Sequence, residues 1–335
     1  METGVSVIIC CYNSASRIGE TLRHLFHQRT PESLKWEIVL VDNASMDNTK
    51  DAAAKLWQGL GQSDVPLKIV DQPVQGLSLA RSKGIESAKY SVIIFCDDDN
   101  WLESNYLSDA CFLLSADLQM GALGGTGIAV SDSSLPNWFD HYKACYACYA
   151  QGGSDGVLSG ASASLYGAGM VIRREALAKL DKKKFKPLLT DRVGGKLTSG
   201  GDTELSYAIR LIGYKLGFST KLKFYHYLPP ERLTDRYLRR LNESLAYCSG
   251  RLIVYKYVLT GKQMNRLVWL KDATYQLFLF SKSLIRFLIF TNSALERKLD
   301  LAFSFNSMKS IFSQFGVYRL RYQQLQKLKG CADIE

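Results

Sequence analysis

The stretch SVIIFCDDDN, residues 91–100, runs from an apolar, β-rich segment directly into three consecutive aspartates. A short apolar run bounded by polar residues reads as a strand buried on both faces. Working outward, VSVIICCY (5–12), WEIVLVD (36–42) and LKIVD (67–71) have the same character, and helix-like stretches separate them. Such alternation predicts parallel βαβ units with both sheet faces covered. In open sheets of this kind ligands bind beyond the carboxyl ends of the strands. The residues at those ends are Asn13 and Ser14, Asp42 to Ser45, and Asp97 to Asn100, so three separate segments are expected on one edge. The fold class that follows is α/β, with a mostly parallel, Rossmann-like sheet flanked by helices.

Further along, 121–172 predicts more strands around a helix at 136–150, 200–213 predicts a helix opened by glycines and acids, and 216–227 predicts a last strand. After Pro229 and Pro230 the chain has no proline and keeps helical periodicity, so a boundary is expected between a catalytic domain, 1–228, and a helical region, 229–335. Residues 227–335 carry 18 Lys+Arg against 8 Asp+Glu, and residues 1–226 balance at 24 of each, so the whole net charge of +10 lies in the C-terminal third. Within it, 267–290 is strongly apolar but broken by Lys271, Asp272, Lys282 and Arg286. That pattern does not predict a spanning helix. It suits either an interfacial helix on an anionic membrane surface or a helix packed on the catalytic domain. The 8 cysteines sit mostly in apolar runs and read as buried thiols in a reducing cytoplasm, and the N-terminal segment has no leader pattern. The expected location is therefore cytoplasmic, with the basic region peripheral on the inner membrane face.

Three adjacent carboxylates repel one another unless a cation offsets them. Hard oxygen ligands suit Mg²⁺ or Mn²⁺, which also hold a diphosphate and neutralise charge on a leaving group. The competing reading of Asp97 to Asp99 is a solvated acidic turn. Asp42, at the end of its strand, presents a carboxylate that accepts hydrogen bonds from a base N–H or ribose hydroxyls. In QGLSLAR (75–81) a glycine opens a helix, with Arg81 about one turn in, where it faces a nucleotide or solvent.

In order, VSVIICCYNSASRIGETL, EIVLVDNASMDNT, QGLSLARSKGI, IIFCDDDN, GAGMVIRREAL and GGDTELSYAIRLIGYKLGF span about residues 4–227. The ordered set resembles a family 2 glycosyltransferase of the GT-A fold. The resemblance implies inverting transfer of a sugar from a nucleoside diphosphate donor, with UDP favoured, to a saccharide or lipid-linked acceptor in polysaccharide or glycolipid assembly. It implies that Asp42 contacts the base with Arg81 nearby, and that Tyr12 and Asn13 line the nucleotide pocket. Asp97 or Asp98 would meet the ribose in the D-x-D cluster, and Asp99 would be the principal ligand of Mn²⁺ or Mg²⁺. His226 would help hold metal or diphosphate, unless it is an ordinary packing residue between two tyrosines. An acceptor hydroxyl must lose a proton as it attacks, which requires a carboxylate base. The resemblance places it at Asp202, with Glu204 as alternative, because Gly201 stands where the family usually has an acid. The Gln-x-x-Arg-Trp motif of processive relatives is absent, which favours one sugar per encounter.

Other readings explain less. Nucleotidyl transfer would want a glycine-rich, basic loop after the first strand, and CYNSASRIGE supplies none. A non-catalytic nucleotide-sugar-binding scaffold is encouraged only by Gly201. The sequence pI of about 9.1 admits nucleic acid, but charge segregated into apolar helices suits a membrane, and no nucleic-acid partner is expected.

Overall fold

Three of the predicted β-runs, 5–12, 36–42 and 91–96, become strands with almost every residue buried, whereas LKIVD (67–71) forms the part-exposed edge strand. Strand β1 (Glu2–Cys11), β2 (Trp36–Asp42), β3 (Leu67–Asp71) and β4 (Tyr90–Asp97) alternate with α1 (Ile18–Phe26), α2 (Thr49–Gly59) and α3 (Leu77–Ser87). Then come β5 (Asn100–Leu102), α4 (Tyr106–Ala116), β6 (Met120–Val130), α5 (Phe139–Tyr142), β7 (Gly156–Val157), β8 (Val171–Arg173), α6 (Arg174–Lys182), α7 (Gly201–Leu211) and β9 (Lys215–Tyr227). Five helices finish the chain: α8 (Asp235–Arg251), α9 (Ile253–Leu259), α10 (Arg266–Ile289), α11 (Ala294–Phe312) and α12 (Tyr318–Gly330). The computed structural model describes residues 2–61, 64–192, 198–289 and 294–330, so Phe290 of the basic apolar stretch and Cys331 lie outside the described residues.

The strands form one nine-stranded sheet in the order β3-β2-β1-β4-β8-β6-β9-β5, with β7 paired to β9. The first four strands are parallel, and β8 enters antiparallel between β4 and β6. Alternate side chains feed two cores. Val7, Ile9, Ile38, Leu40 and Ile94 pack on Ile18, Leu22 and Leu25 of α1. Ile8, Val39, Val41, Ile93 and Phe95 face the other way, toward α3, α6 and α7. That second core continues into Tyr255, Val258, Trp269, Tyr318 and Tyr322, so sheet and C-terminal helices share it.

Register brings the polar strand ends together. Cys10 lies opposite Asp97, Cys11 opposite Asp42, and Asp42 opposite Asp71. Helix α3 rests close on this edge because Gly84 sits against Ile8, where an added Cβ would collide with the Ile8 side chain. Gly76 opens α3 at φ 152°, a conformation open to glycine, and its N–H donates to the Asn43 side chain at 2.8 Å.

The helix expected at 136–150 is shorter. Its α-helical part is α5 alone, followed by a 3-10 turn at Lys143–Tyr146 that Ala147 ends in a left-handed conformation (φ 55°). The chain must turn there because Thr126 bridges Ala150, and the Gln151 N–H donates to the Gly125 carbonyl of β6. Phe139 and Tyr146 meanwhile bury against Leu228, Leu238 and Leu241, a third cluster that periodicity did not show.

Candidate functional site

A cavity of about 470 Å³ opens at the carboxyl edge of the parallel strands. Tyr12, Arg81, Asp97, Asp98, Asp99, Asp202 and His226 line it, although they come from five separate parts of the chain. Asn13, Asp42 and Glu204 do not line it. Asn13 adopts φ 51° and stitches two loops, its N–H donating to Ser45 Oγ at 3.0 Å and its side-chain oxygen accepting from the Met46 N–H at 2.8 Å. Asp42 is 5% exposed, and its Oδ1 is buried without a hydrogen-bond partner among the described residues. Unpaired buried carboxylate oxygens are costly, and a ligand donor is one remedy.

The three aspartates have different surroundings. Asp98 turns toward α1: it accepts from the Ser14 hydroxyl and pairs with Arg17 Nη2 at 2.6 Å. Burial pushes its carboxyl above the usual range, with repulsion from Asp99 adding to burial and Arg17 opposing it. Asp99 is held the other way. Burial alone would raise it, but Arg232, His226, Arg192 and Arg17 together hold it below the usual carboxylate range. Asp97, half-buried, forms no ion pair among the described residues and faces the cavity.

Asp99 and His226 fit a divalent cation. His226 Nδ1 lies 2.7 Å from the Tyr146 carbonyl, an acceptor, so this nitrogen donates. That leaves Nε2, 3.5 Å from Asp99 Oδ1, as the ring atom whose lone pair would meet a cation. A histidine that donates its other N–H to a backbone carbonyl is the usual support of a metal ligand. Asp99 Oδ2 meanwhile accepts from Arg232 Nη1 at 2.7 Å, and Oδ1 takes a longer bond from the Asn100 amide at 3.3 Å, which leaves Oδ1 a further lone pair for the cation. No group of three His, Cys, Asp or Glu side chains converges among the described residues. Mg²⁺ and Mn²⁺ tolerate this, because one or two protein donors plus phosphate oxygens and waters complete their shell.

Across the cavity, Asp202 Oδ2 accepts from the Gly167 N–H at 2.8 Å and Oδ1 from the Thr203 N–H at 2.7 Å. Glu204, two residues on, is 0% exposed and accepts from the Leu188 and Leu189 N–H groups at 2.6 and 2.9 Å and from the Tyr255 hydroxyl at 2.6 Å. Its carboxylate pins the approach to α7 onto α9. Arg81 lies 4.9 Å from the Phe95 ring and 3.5 Å from Asp191 Oδ2. The Cys10 thiol lines the cavity but is no nucleophile, because burial pushes it up to about 12.

Arg17, Asp191 and Arg232 belong to the site, and sequence reasoning missed them. Each meets its partner across 81 to 133 residues of chain, where no local pattern marks it. The only available signal for Arg232 was its place just after the proline pair that ends the sheet.

The profile described as glycosyl transferase family 2 matches residues 6–180. "Putative glycosyltransferase EpsH" of Bacillus subtilis is 36% identical over 107 residues, 32% of this chain and 29% of that protein. "Succinoglycan biosynthesis protein ExoM" of Rhizobium meliloti is 24% identical over 258 residues, 75% of this chain and 76% of that protein. This chain spans about a third or less of the length of the first curated relatives it matches. In overall fold it is similar to TarS 1-349 of S. aureus, at TM-score 0.54 and 16% identity over 98% of this chain and 90% of that one. Structures of the same TarS region with UDP and with UDP-GlcNAc align at TM-score 0.50 over 94% and 93% of this chain and 91% and 92% of those. Mannosyltransferase PcManGT from Pyrobaculum calidifontis, in complex with GDP-Man and Mn2+, aligns at TM-score 0.52 and 17% identity over 98% of this chain and 85% of that one. With more than half its length matched by the family profile and its sheet in the GT-A arrangement, the chain belongs to glycosyl transferase family 2.

Proposed function

We propose that the protein transfers a sugar from a nucleoside diphosphate donor, preferably a UDP-sugar, to an acceptor hydroxyl with inversion, in cell-surface polysaccharide or glycolipid assembly. The observation that carries this is one cavity lined by Asp99 and His226, 3.5 Å apart, and by a separately anchored carboxylate, Asp202. The relatives supply the pathway class, since ExoM is named for succinoglycan biosynthesis. The TarS complexes with UDP and UDP-GlcNAc support the donor class, and PcManGT supports Mn²⁺.

Each group has a role in this reading. Asp42, at the end of β2 behind the cavity wall formed by Asn43, reaches the base only if that wall gives, and Arg81 with Tyr12 borders the nucleotide. Asp97 is the ribose contact, since Asp98 is committed to Arg17 and Ser14. When bound, the divalent cation screens negative charge on the diphosphate as it leaves. Asp202 takes the proton of the acceptor hydroxyl as the new C–O bond forms at the anomeric carbon and the old bond to phosphate breaks on the opposite face. The main-chain N–H groups of Gly167 and Thr203 fix the direction of that carboxylate.

Incubating the full chain with a panel of UDP- and GDP-sugars, with and without Mn²⁺, and following nucleoside diphosphate release tests the reading. Metal-dependent release from UDP-sugars is expected. Failure to bind or turn over any donor, with the protein folded, would overturn it.

A further inference from the structure

Asp191 carries no sequence motif, yet its carboxylate lies at the heart of the cavity wall. The residue is 6% exposed and holds φ 54°, a left-handed conformation that non-glycine residues rarely keep without support. Three contacts supply that support. Its Oδ1 accepts from the Gly201 N–H at 2.8 Å, its Oδ2 faces Arg81 Nη1 at 3.5 Å, and its main-chain carbonyl accepts from the Thr198 hydroxyl.

Gly201 opens α7, whose N-cap residue, Gly200, offers no side-chain cap. Asp191 therefore provides the anion that an α-helix N-terminus favours, from outside the helix. The fit is exclusive, because a Cβ on Gly201 would run into the Asp191 carboxylate. Position 201 and the Asp191 side chain share one volume, and the glycine is what admits the acid. The residue after Gly201 is Asp202. Arg81 feels Asp191, Asp97 and Asp202 together, and these three raise its basicity against the burial that would lower it. One guanidinium thus joins the strand edge to the first turn of α7, with Asp191 as its nearest anion.

We propose that Asp191 is a positioning residue for the transfer step, holding the first turn of α7 and Arg81 in the register that presents Asp202 to the acceptor. This rests on Asp202 being the base. Asp191 does not touch the reacting atoms; it takes the place that a longer side chain at 201 would fill.

The test uses the full chain and four variants. Asp191→Asn keeps the size and loses the charge. It is expected to lower kcat by roughly 100-fold, the scale of a misplaced catalytic group, and to weaken UDP with Mn²⁺ by far less, since Arg81 keeps Asp97 and Asp202 as partners. Gly201→Ala is expected to lower the unfolding midpoint in the wild-type background and to be tolerated with Asp191→Gly, which vacates the shared volume. Asp202→Asn separates the two claims: if it keeps full turnover, the base assignment fails. If it is inactive while Asp191→Asn turns over like wild type, the positioning role is overturned. An Asp191→Asn protein that loses stability and UDP binding together has a merely structural acid there, which also overturns it. A Gly201→Ala penalty of equal size in both backgrounds overturns the shared volume without reference to turnover.

Discussion

Asp202 and Glu204 stand two residues apart on α7 and meet opposite environments. Such spacing turns two side chains to different sides of a helix, so one meets the cavity and the other the interior. Motif reading left both as candidate bases because both are acids in one helical turn, and facing is decided by β6, α9 and α12, far away in sequence. Burial raises the Glu204 carboxyl above its usual value of 4.5, against the bonds from Tyr255, Leu188 and Leu189. A raised acid holds more protons when folded than unfolded, so its contribution to stability falls as pH rises from about 4.5 through the folded value. Glu204→Gln removes that titration. Urea midpoints of wild type and variant between pH 4 and pH 8 should therefore differ most in favour of wild type at the acid end, about 4, and less toward neutrality. A difference that grows with pH would mean a depressed Glu204.

Helix α10 buries only Trp269 and Ala273 among its 24 residues, while Leu267, Phe278, Ile285, Leu288 and Ile289 are exposed. Lys271, Lys282 and Arg286 lie among them, and no described helix is long and apolar enough to cross a membrane. Both halves of this pattern were legible in the sequence, but not which residues the fold would cover. An isologous contact with a second copy would set basic faces against each other, whereas an anionic lipid surface complements them. Helix α11 packs between α10 and α8, and α8 lines the cavity through Tyr237, Leu241 and Leu245. A membrane on α10 would thus lie two helix layers, roughly 20 Å, from the site. Flotation with vesicles containing anionic phospholipid should retain the protein, and Phe278→Glu with Ile285→Glu should release it. Equal retention by purely zwitterionic vesicles, or none by either, would contradict the lipid reading.

At the scale of the molecule, the parallel half was legible because β1 to β4 are long and locally patterned. The rest was not. Strand β8 has three residues and is placed by pairing with β4, about 80 residues away, so its antiparallel entry leaves no local trace. The shared core of sheet and C-terminal helices was hidden for the same reason. Tyr255, Val258, Trp269 and Tyr322 are each at least nine-tenths buried within it. Burying one such side chain contributes about 1.5–3 kcal/mol, against a total stability of about 5–15 kcal/mol. A fragment ending at residue 228 should therefore fail to fold, and the full chain should unfold in one transition by calorimetry and near-UV circular dichroism. A fragment with native near-UV signal and an unchanged midpoint would make the helices an independent unit.

The central claim is that the cavity binds a nucleoside diphosphate through a cation held at Asp99. Calorimetric titration of UDP into wild type and Asp99→Ala, each with and without Mn²⁺, tests it most directly. Mn²⁺ is expected to tighten UDP binding to wild type by at least about tenfold, 1.4 kcal/mol, and Asp99→Ala to abolish this increment while the protein stays folded. UDP binding of equal strength in all four titrations would contradict it.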